Sequence, residues 1–207
     1  MQHSKTPSLI FEKKLWKEGF SNIAGVDEVG RGSFAGPVVA AAVILPRDFQ
    51  IPAGFADSKQ VKSGKRRKFA ELIKTQAKSW AIAEVRVSVI NKQGLGKAAQ
   101  AAFRKALKEL QLQVDFILID AFYIRHLSRK KQKPIVKGDE KSASIAAASI
   151  LAKVYRDNLM KKLAKQYPQY HFGKNKGYGT REHRLAIKKF GLSRVHRKSF
   201  NLKFLNN

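Results

Sequence analysis

Residues 22–32 read Asn22-Ile-Ala-Gly-Val-Asp-Glu-Val-Gly-Arg-Gly32, an apolar run that carries two adjacent carboxylates and then breaks on glycine. Asn22 to Val29 has the composition of a buried strand, and Gly30-Arg31-Gly32 stops it. Asp27 and Glu28 therefore sit where a charge is most expensive to keep. Neighbours on a regular strand point to opposite faces, so both acids aim inward only if the chain bends there, and the glycines at 30 and 32 make a bend cheap. The glycine spacing from Gly25 to Gly32 also matches a Walker A loop. That reading fails: Arg31 stands at the lysine, Gly32 at the hydroxyl position, and two acids would lie inside the phosphate cradle. These glycines suit a close backbone approach to a sugar or phosphate, with Arg31 as a charged partner.

Outward from this strand, Pro37 to Leu45 reads as a second strand closed by Pro46. Ser63 caps a predicted helix to about Lys78, with Phe69, Leu72 and Ile73 on one face, and Ser79 to Val89 reads as a third strand. Apolar residues from Leu95 to Leu110 recur at three and four and predict a helix. Val114 to Ile119 is a short, almost wholly apolar strand that delivers Asp120 at its C-terminal end. A brief fifth strand is expected at Pro134 to Lys137. Ser142 to about Gln166 reads as a long helix whose first half has small residues on nearly every face, so that it can lie very close to a sheet. Thr180 starts a last helix that Gly191 ends. Strands lead and then alternate with helices, which favours a mixed α/β sheet with helices packed on it. The expected organisation is one domain over 1–207, with a basic C-terminal part from about 159.

The 207 residues carry 42 Lys and Arg against 15 Asp and Glu, a formal charge of +27, yet 43% are hydrophobic. Such a chain folds, and its charge calls for a polyanion, most commonly nucleic acid. The lack of cysteine excludes disulfides, thiol catalysis and thiolate zinc sites. No apolar stretch is long enough to span a bilayer, and no secretory signal is legible, so a soluble cytoplasmic protein is expected. Against so many bases the acids in apolar settings are conspicuous: Asp27, Glu28, Asp120, and Asp139 just before the Ala-rich helix. Brought together, they would repel one another unless cations filled the space, and all-oxygen ligands select hard ions such as Mg²⁺ or Mn²⁺. Two such ions can clamp the attacking and leaving oxygens of a phosphodiester. The alternative, that each acid is a helix cap or an ion pair with the abundant lysines, is equally open on spacing alone.

Arg125 to Lys137 has six Lys or Arg and no acid, and reads as a solvated loop or a phosphate track. From Leu159 onward, 13 Lys or Arg accompany a single acid, Glu182, with aromatics interleaved, a pattern that suits a duplex-backbone surface. His126, His171, His183 and His196 lack metal-ligand spacing. The Ala-rich helix reads as packing, its N-terminus positioning Asp139. A non-catalytic basic RNA-binding protein would explain the charge, but not an Asp-Glu pair inside an apolar strand.

Several blocks resemble one family. Ala24-Gly-Val-Asp-Glu-Val-Gly-Arg-Gly32 resembles the N-terminal motif of ribonuclease HII, the type 2 ribonucleases H. Asp57-Ser58-Lys59, Leu118-Ile-Asp120, and Val136-Lys-Gly-Asp139 with Ser144 to Val154 and Arg156-Asp157 resemble its next motifs. Lys176-Gly-Tyr178-Gly-Thr180 and Arg197-Lys-Ser-Phe200 resemble its last two, and all run in family order. The resemblance implies a ribonuclease H-like fold with Asp27, Glu28, Asp120 and Asp139 as catalytic, metal-binding carboxylates for Mg²⁺ or Mn²⁺, two ions acting during catalysis. It implies that Gly30, Arg31 and Gly32 sense a ribose 2′-hydroxyl and that Tyr178, which alone would read as a core tyrosine, packs on the next sugar. Ser58 and Lys59 are candidates for a phosphate contact, or a surface turn. The implied enzyme is a monomer acting on RNA–DNA hybrids and on ribonucleotides embedded in duplex DNA, with no membrane. Cleavage 5′ of the ribonucleotide would leave a 3′-hydroxyl and a 5′-phosphate, in the service of ribonucleotide removal during DNA replication and repair. One departure is Glu140, which stands where serine often follows the fourth carboxylate.

Overall fold

The apolar run around Asp27 forms the middle strand of a five-stranded sheet, in a computed structural model that describes residues 6–56, 58, 61–198 and 200. Strand β1 (Ile23–Val29) pairs antiparallel with β2 (Val38–Ile44), which pairs antiparallel with β3 (Ser79–Val85). On its other side β1 pairs parallel with β4 (Phe116–Asp120), and β4 pairs parallel with β5 (Gln132–Ile135). The order is β3-β2-β1-β4-β5, the mixed sheet expected from the chain.

Helices cover both faces, which is why β2 is buried along its whole length. One face packs Val39, Ala41 and Val43 under α2 (Ser63–Gln76) and the long α5 (Ala143–Gln166). The other packs Ala24, Val26, Ala40 and Ile119 under α4 (Leu95–Lys108). Small residues bring α5 very close to the sheet: a Cβ added to Gly25 would collide with the Ser144 backbone. Beyond α5, the short α6 (Phe172–Asn175) and α7 (Arg181–Phe190) enclose a separate aromatic cluster around Tyr170 and Phe172. Among the described residues no helix is long and apolar enough to cross a membrane.

Two of the expected elements need correction, and one helix goes unannounced in the sequence. The third strand ends at Val85, and Val87–Gln93 is a helix, α3, that buries Val87 and Ile90. The ladder stops there because Val85 faces Val38, and the next residue of the partner chain is Pro37, which has no N–H to give. The fifth strand starts two residues earlier than its apolar part, because β4 offers partners only from Ile117↔Gln132 to Asp120↔Ile135. Gln132 is buried there as a strut, accepting from Ile124 N–H and donating to the carbonyls of Ile124 and Leu127. Finally, Ile10–Lys17 forms a helix, α1, that hydropathy does not announce. Its buried Glu12 accepts from the hydroxyls of Ser142 and Ser144 at 2.6 Å each and from Ser144 N–H at 3.0 Å, so it ties down the start of α5.

Candidate active site

The expected bend between Asp27 and Glu28 is absent. The ladder with β2 runs unbroken through Val29↔Val39, and the chain turns only at Gly30, where φ is +92°. Both acids nevertheless border one cleft, because β4 ends there: β1 is paired with β4 as far as Val26↔Ile119, which leaves Asp27 beside Asp120 and Glu28 one step past it. In a parallel pair such neighbours share a face. Asp120 accepts the Gly138 N–H at 2.7 Å, and this bond holds the 3-10 turn Gly138–Glu140 that carries Asp139.

The cleft, about 470 Å³, is lined by Asp27, Glu28, Ser58, Ser149, Lys153 and Tyr178, among others. Asp27 is 6% exposed. Burial raises its pKa well above the ordinary carboxylate value; Glu28, Asp120 and Asp139 raise it further, while a hydrogen bond from Ser149 opposes them. Burial likewise raises Glu28, with Arg31, 3.4 Å away, working against it. Among the described residues no Lys or Arg forms an ion pair with Asp27 or Asp120. The caps-and-ion-pairs reading therefore fits poorly here. An all-oxygen donor set with surplus negative charge suits hard divalent cations. Among the described residues no three acidic or histidine side chains form a ready-made cage for one ion. A hexahydrated-type ion such as Mg²⁺ needs only one or two protein carboxylates, with waters or phosphate oxygens as its other ligands. Glu140 turns aside to Lys137, 3.8 Å away.

Of the other sequence candidates, Ser58 is buried in the cleft with its hydroxyl in hydrogen-bond contact with that of Ser149 at 2.9 Å, so it is no surface turn. Lys59 lies outside the described residues. Gly30 packs against Arg156, where a Cβ would collide with the guanidinium, whereas a Cβ on the exposed Gly32 would meet only open space. Tyr178 is half-buried on the cleft wall with its ring 5.7 Å from the Arg156 guanidinium and 5.9 Å from Lys153.

Two features escape the sequence reading. The Ala-rich helix is more than packing: Ser149, Lys153 and Asp157 recur at four along α5 and line the cleft. Lys153 is paired with Asp157 at 2.7 Å, and Arg66 reaches the same acid at 3.2 Å. The spacing was available as a signal. The second is a pair of wholly buried arginines whose hydrogen bonds all go to carbonyls. Arg156 holds those of Ala35, Pro37 and Lys176, and Arg197 those of Arg31, Gly36 and Pro37, at 2.9 to 3.1 Å. Between them they tie the Gly30–Gly32 turn to the segment that carries Tyr178.

That segment is also held by two buried histidines whose tautomers the contacts define. Ser193 N–H donates to His196 Nδ1 at 2.9 Å, so the His196 proton sits on Nε2 and points at His183 Nε2, 3.1 Å away. His183 Nδ1–H then donates to the Tyr178 carbonyl at 2.9 Å. Burial lowers both pKa values, that of His196 to about 4, with His183 adding to the effect. A histidine depressed in the fold contributes stability above its unfolded value of about 6.5 and loses it as pH falls through the folded value. The urea midpoint is therefore expected to fall from about pH 6.5 toward 4, and His196→Asn, which keeps an acceptor for Ser193 but does not titrate, should flatten that fall. An unflattened profile would assign the loss to other groups.

The profile of the family described as Ribonuclease HII matches residues 24–203. The chain is similar to a ribonuclease HII of Caldanaerobacter subterraneus subsp. tengcongensis, 50% identical over 196 residues, 95% of this chain and 80% of the relative. It is similar to another of Syntrophus aciditrophicus, 48% identical over 93% of this chain and 90% of that one. Among solved structures it resembles the ribonuclease HII of Archaeoglobus fulgidus, determined in complex with PCNA. There the TM-score is 0.74 at 25% identity, over 88% of this chain and 96% of that one.

Proposed function

The chain belongs to the ribonuclease HII family, endoribonucleases that cleave RNA in RNA–DNA hybrids, and on that basis we propose that it also incises duplex DNA on the 5′ side of an embedded ribonucleotide. The products would be a 3′-hydroxyl and a 5′-phosphate. The observation that carries this reading is Asp27, buried beside three other acids and itself without an ion-pair partner among the described residues. Asp27, Glu28, Asp120 and Asp139 would hold Mg²⁺ or Mn²⁺. Divalent ions held there would polarise the phosphodiester and lower the pKa of the attacking water.

The chain's own residues account for positioning and choice of sugar. Gly32 leaves open space at an exposed turn that the two buried arginines hold still, so a ribose 2′-hydroxyl can come up to backbone groups there. Arg31 would take the neighbouring phosphate. The Tyr178 ring, backed by Arg156 and Lys153, would lie on the adjacent deoxyribose, where a second hydroxyl fits badly. Ser58 borders the same cleft and would face the phosphate, with Lys59 beside it in the chain. The basic residues beyond 159 would grip the duplex without reading sequence, since phosphate contacts carry no base information.

A DNA duplex with one internal ribonucleotide tests this. With Mg²⁺ or Mn²⁺, a single incision 5′ of the ribonucleotide with a 3′-hydroxyl end is expected, and none in an all-DNA duplex or with chelator. Binding without incision would favour a basic nucleic-acid-binding module.

A further inference from the structure

Arg31 borders a second groove, of about 730 Å³, between α4 and the loop that follows β4. Lys97, Arg104 and Arg125 line it with Arg31, and among the described residues no carboxylate does. The loop carries two rings into this basic surface, Phe122 at 56% and Tyr123 at 41% exposure. Apolar side chains on a slack loop would fold inward, but this loop has little slack. Gln100 donates to the Tyr123 carbonyl and accepts the Arg125 N–H, Gln132 clamps Ile124 from both sides, and Arg104 reaches the Arg125 carbonyl. Ala121, the residue after Asp120, is held at φ +62°, a left-handed conformation that a residue with a Cβ seldom adopts. Ile124 is the loop's inward anchor, 1% exposed. The rings are thus presented outward by construction.

Both rings are paired with guanidinium groups, Arg31 at 5.2 Å from the Phe122 centroid and Arg129 at 5.1 Å from that of Tyr123. Arg31 is also the partner of Glu28, at 3.4 Å, so one ion pair joins the wall of this groove to the wall of the carboxylate cleft. Cations interleaved with exposed rings, and no acid, fit a sugar–phosphate strand: phosphates meet the cations and the carbon faces of the sugars meet the rings.

We propose that this groove holds the arm of the substrate duplex on one side of the cleaved bond, with Phe122 and Tyr123 against its sugars and Lys97 and Arg125 against its phosphates. The proposal rests on the nuclease reading of the adjoining cleft and adds to it an exit path for one arm. Its ligand is the same molecule that the carboxylates cut.

The test compares wild type with Phe122→Ala, Phe122→Tyr and the double variant Lys97→Ala/Arg125→Ala. Three single-ribonucleotide duplexes are used: both arms long, the 5′ arm cut short, and the 3′ arm cut short. These side chains are exposed, so unfolding midpoints should match wild type. On the long duplex Phe122→Ala is expected to raise KM about fivefold with kcat nearly unchanged, and Phe122→Tyr to restore it. The double variant should also shallow the salt dependence of binding by about two units. Each loss should persist on one shortened duplex and vanish on the other, whose missing arm is the one the groove holds. Unchanged KM on all three duplexes would overturn the proposal, and so would a loss on both shortened ones, which would mean that the loop merely disturbs Asp120. If wild type cleaves nothing, the reading of the carboxylate cleft fails. The groove is then judged by fluorescence anisotropy on the same duplexes, where the pattern across the two short arms sustains or overturns it in the same way.

Discussion

Asp120→Asn should lower turnover by on the order of 10³-fold, about 4 kcal/mol of transition-state stabilisation, and leave binding of an RNA–DNA hybrid intact. The substitution keeps the shape and the Oδ1 atom that accepts the Gly138 N–H at 2.7 Å, so the turn carrying Asp139 stays in place. Only the charge is lost. Without it the site has less negative potential to hold divalent ions, and it also repels the phosphate less, so hybrid affinity should hold or rise. Single-turnover rates and fluorescence anisotropy read the two effects separately. Mg²⁺-dependent cleavage near the wild-type rate would remove Asp120 from the chemistry, and the same holds for Asp27→Asn and Asp139→Asn.

The second large effect concerns the sugar. Tyr178→Ala should lower cleavage at a single embedded ribonucleotide at least tenfold, about 1.4 kcal/mol, and should hurt long hybrids less. The ring sits half-buried on the cleft wall, with its backbone held by Asn175, His183 and the bridge to Ser33, so its removal leaves the turn in place. Tyr178→Phe keeps the ring and should retain more of the activity. Equal losses on junction and long-hybrid substrates would mean that the ring does not recognise the junction.

Much of this site is legible in the order of the amino acids. The apolar runs around Asp27 and before Asp120 mark central strands, because only strands covered on both faces lack polar alternation. The collinear family blocks then join residues that spacing alone leaves apart. Three parts stayed out of sight for physical reasons. The helix Val87–Gln93 has strand-like valines, and only the partner strand's proline stops the ladder before it. The helix at Ile10–Lys17 matters through one buried glutamate, which in sequence looks like any surface acid. Arg156 and Arg197 stand in two of the family blocks, but nothing in the sequence tells that both are wholly buried against carbonyls. The bend expected at Asp27-Glu28 proved unnecessary, since the pairing with β4 ends beside them and leaves both acids on one cleft.

The buried acids form either a charge-strained cation site or an ordinary ion-paired cluster, and the two differ in what a lost charge does to stability. Unfolding of wild type and Asp27→Asn, with and without Mg²⁺ or Mn²⁺ and across pH, decides this without any substrate. Asp27 has a raised pKa in the fold, so its ionisation costs stability as pH rises from the unfolded value of about 4 through the folded one. Asparagine at this position would keep the acceptor for the Glu28 N–H, now 2.7 Å from Asp27 Oδ1, and carry no charge. Metal-free Asp27→Asn is therefore expected to be more stable than wild type at neutral pH, and divalent ions to raise the wild-type midpoint much more than that of the variant. A variant less stable than wild type, together with a wild-type midpoint indifferent to divalent ions, would contradict a cation site built on Asp27.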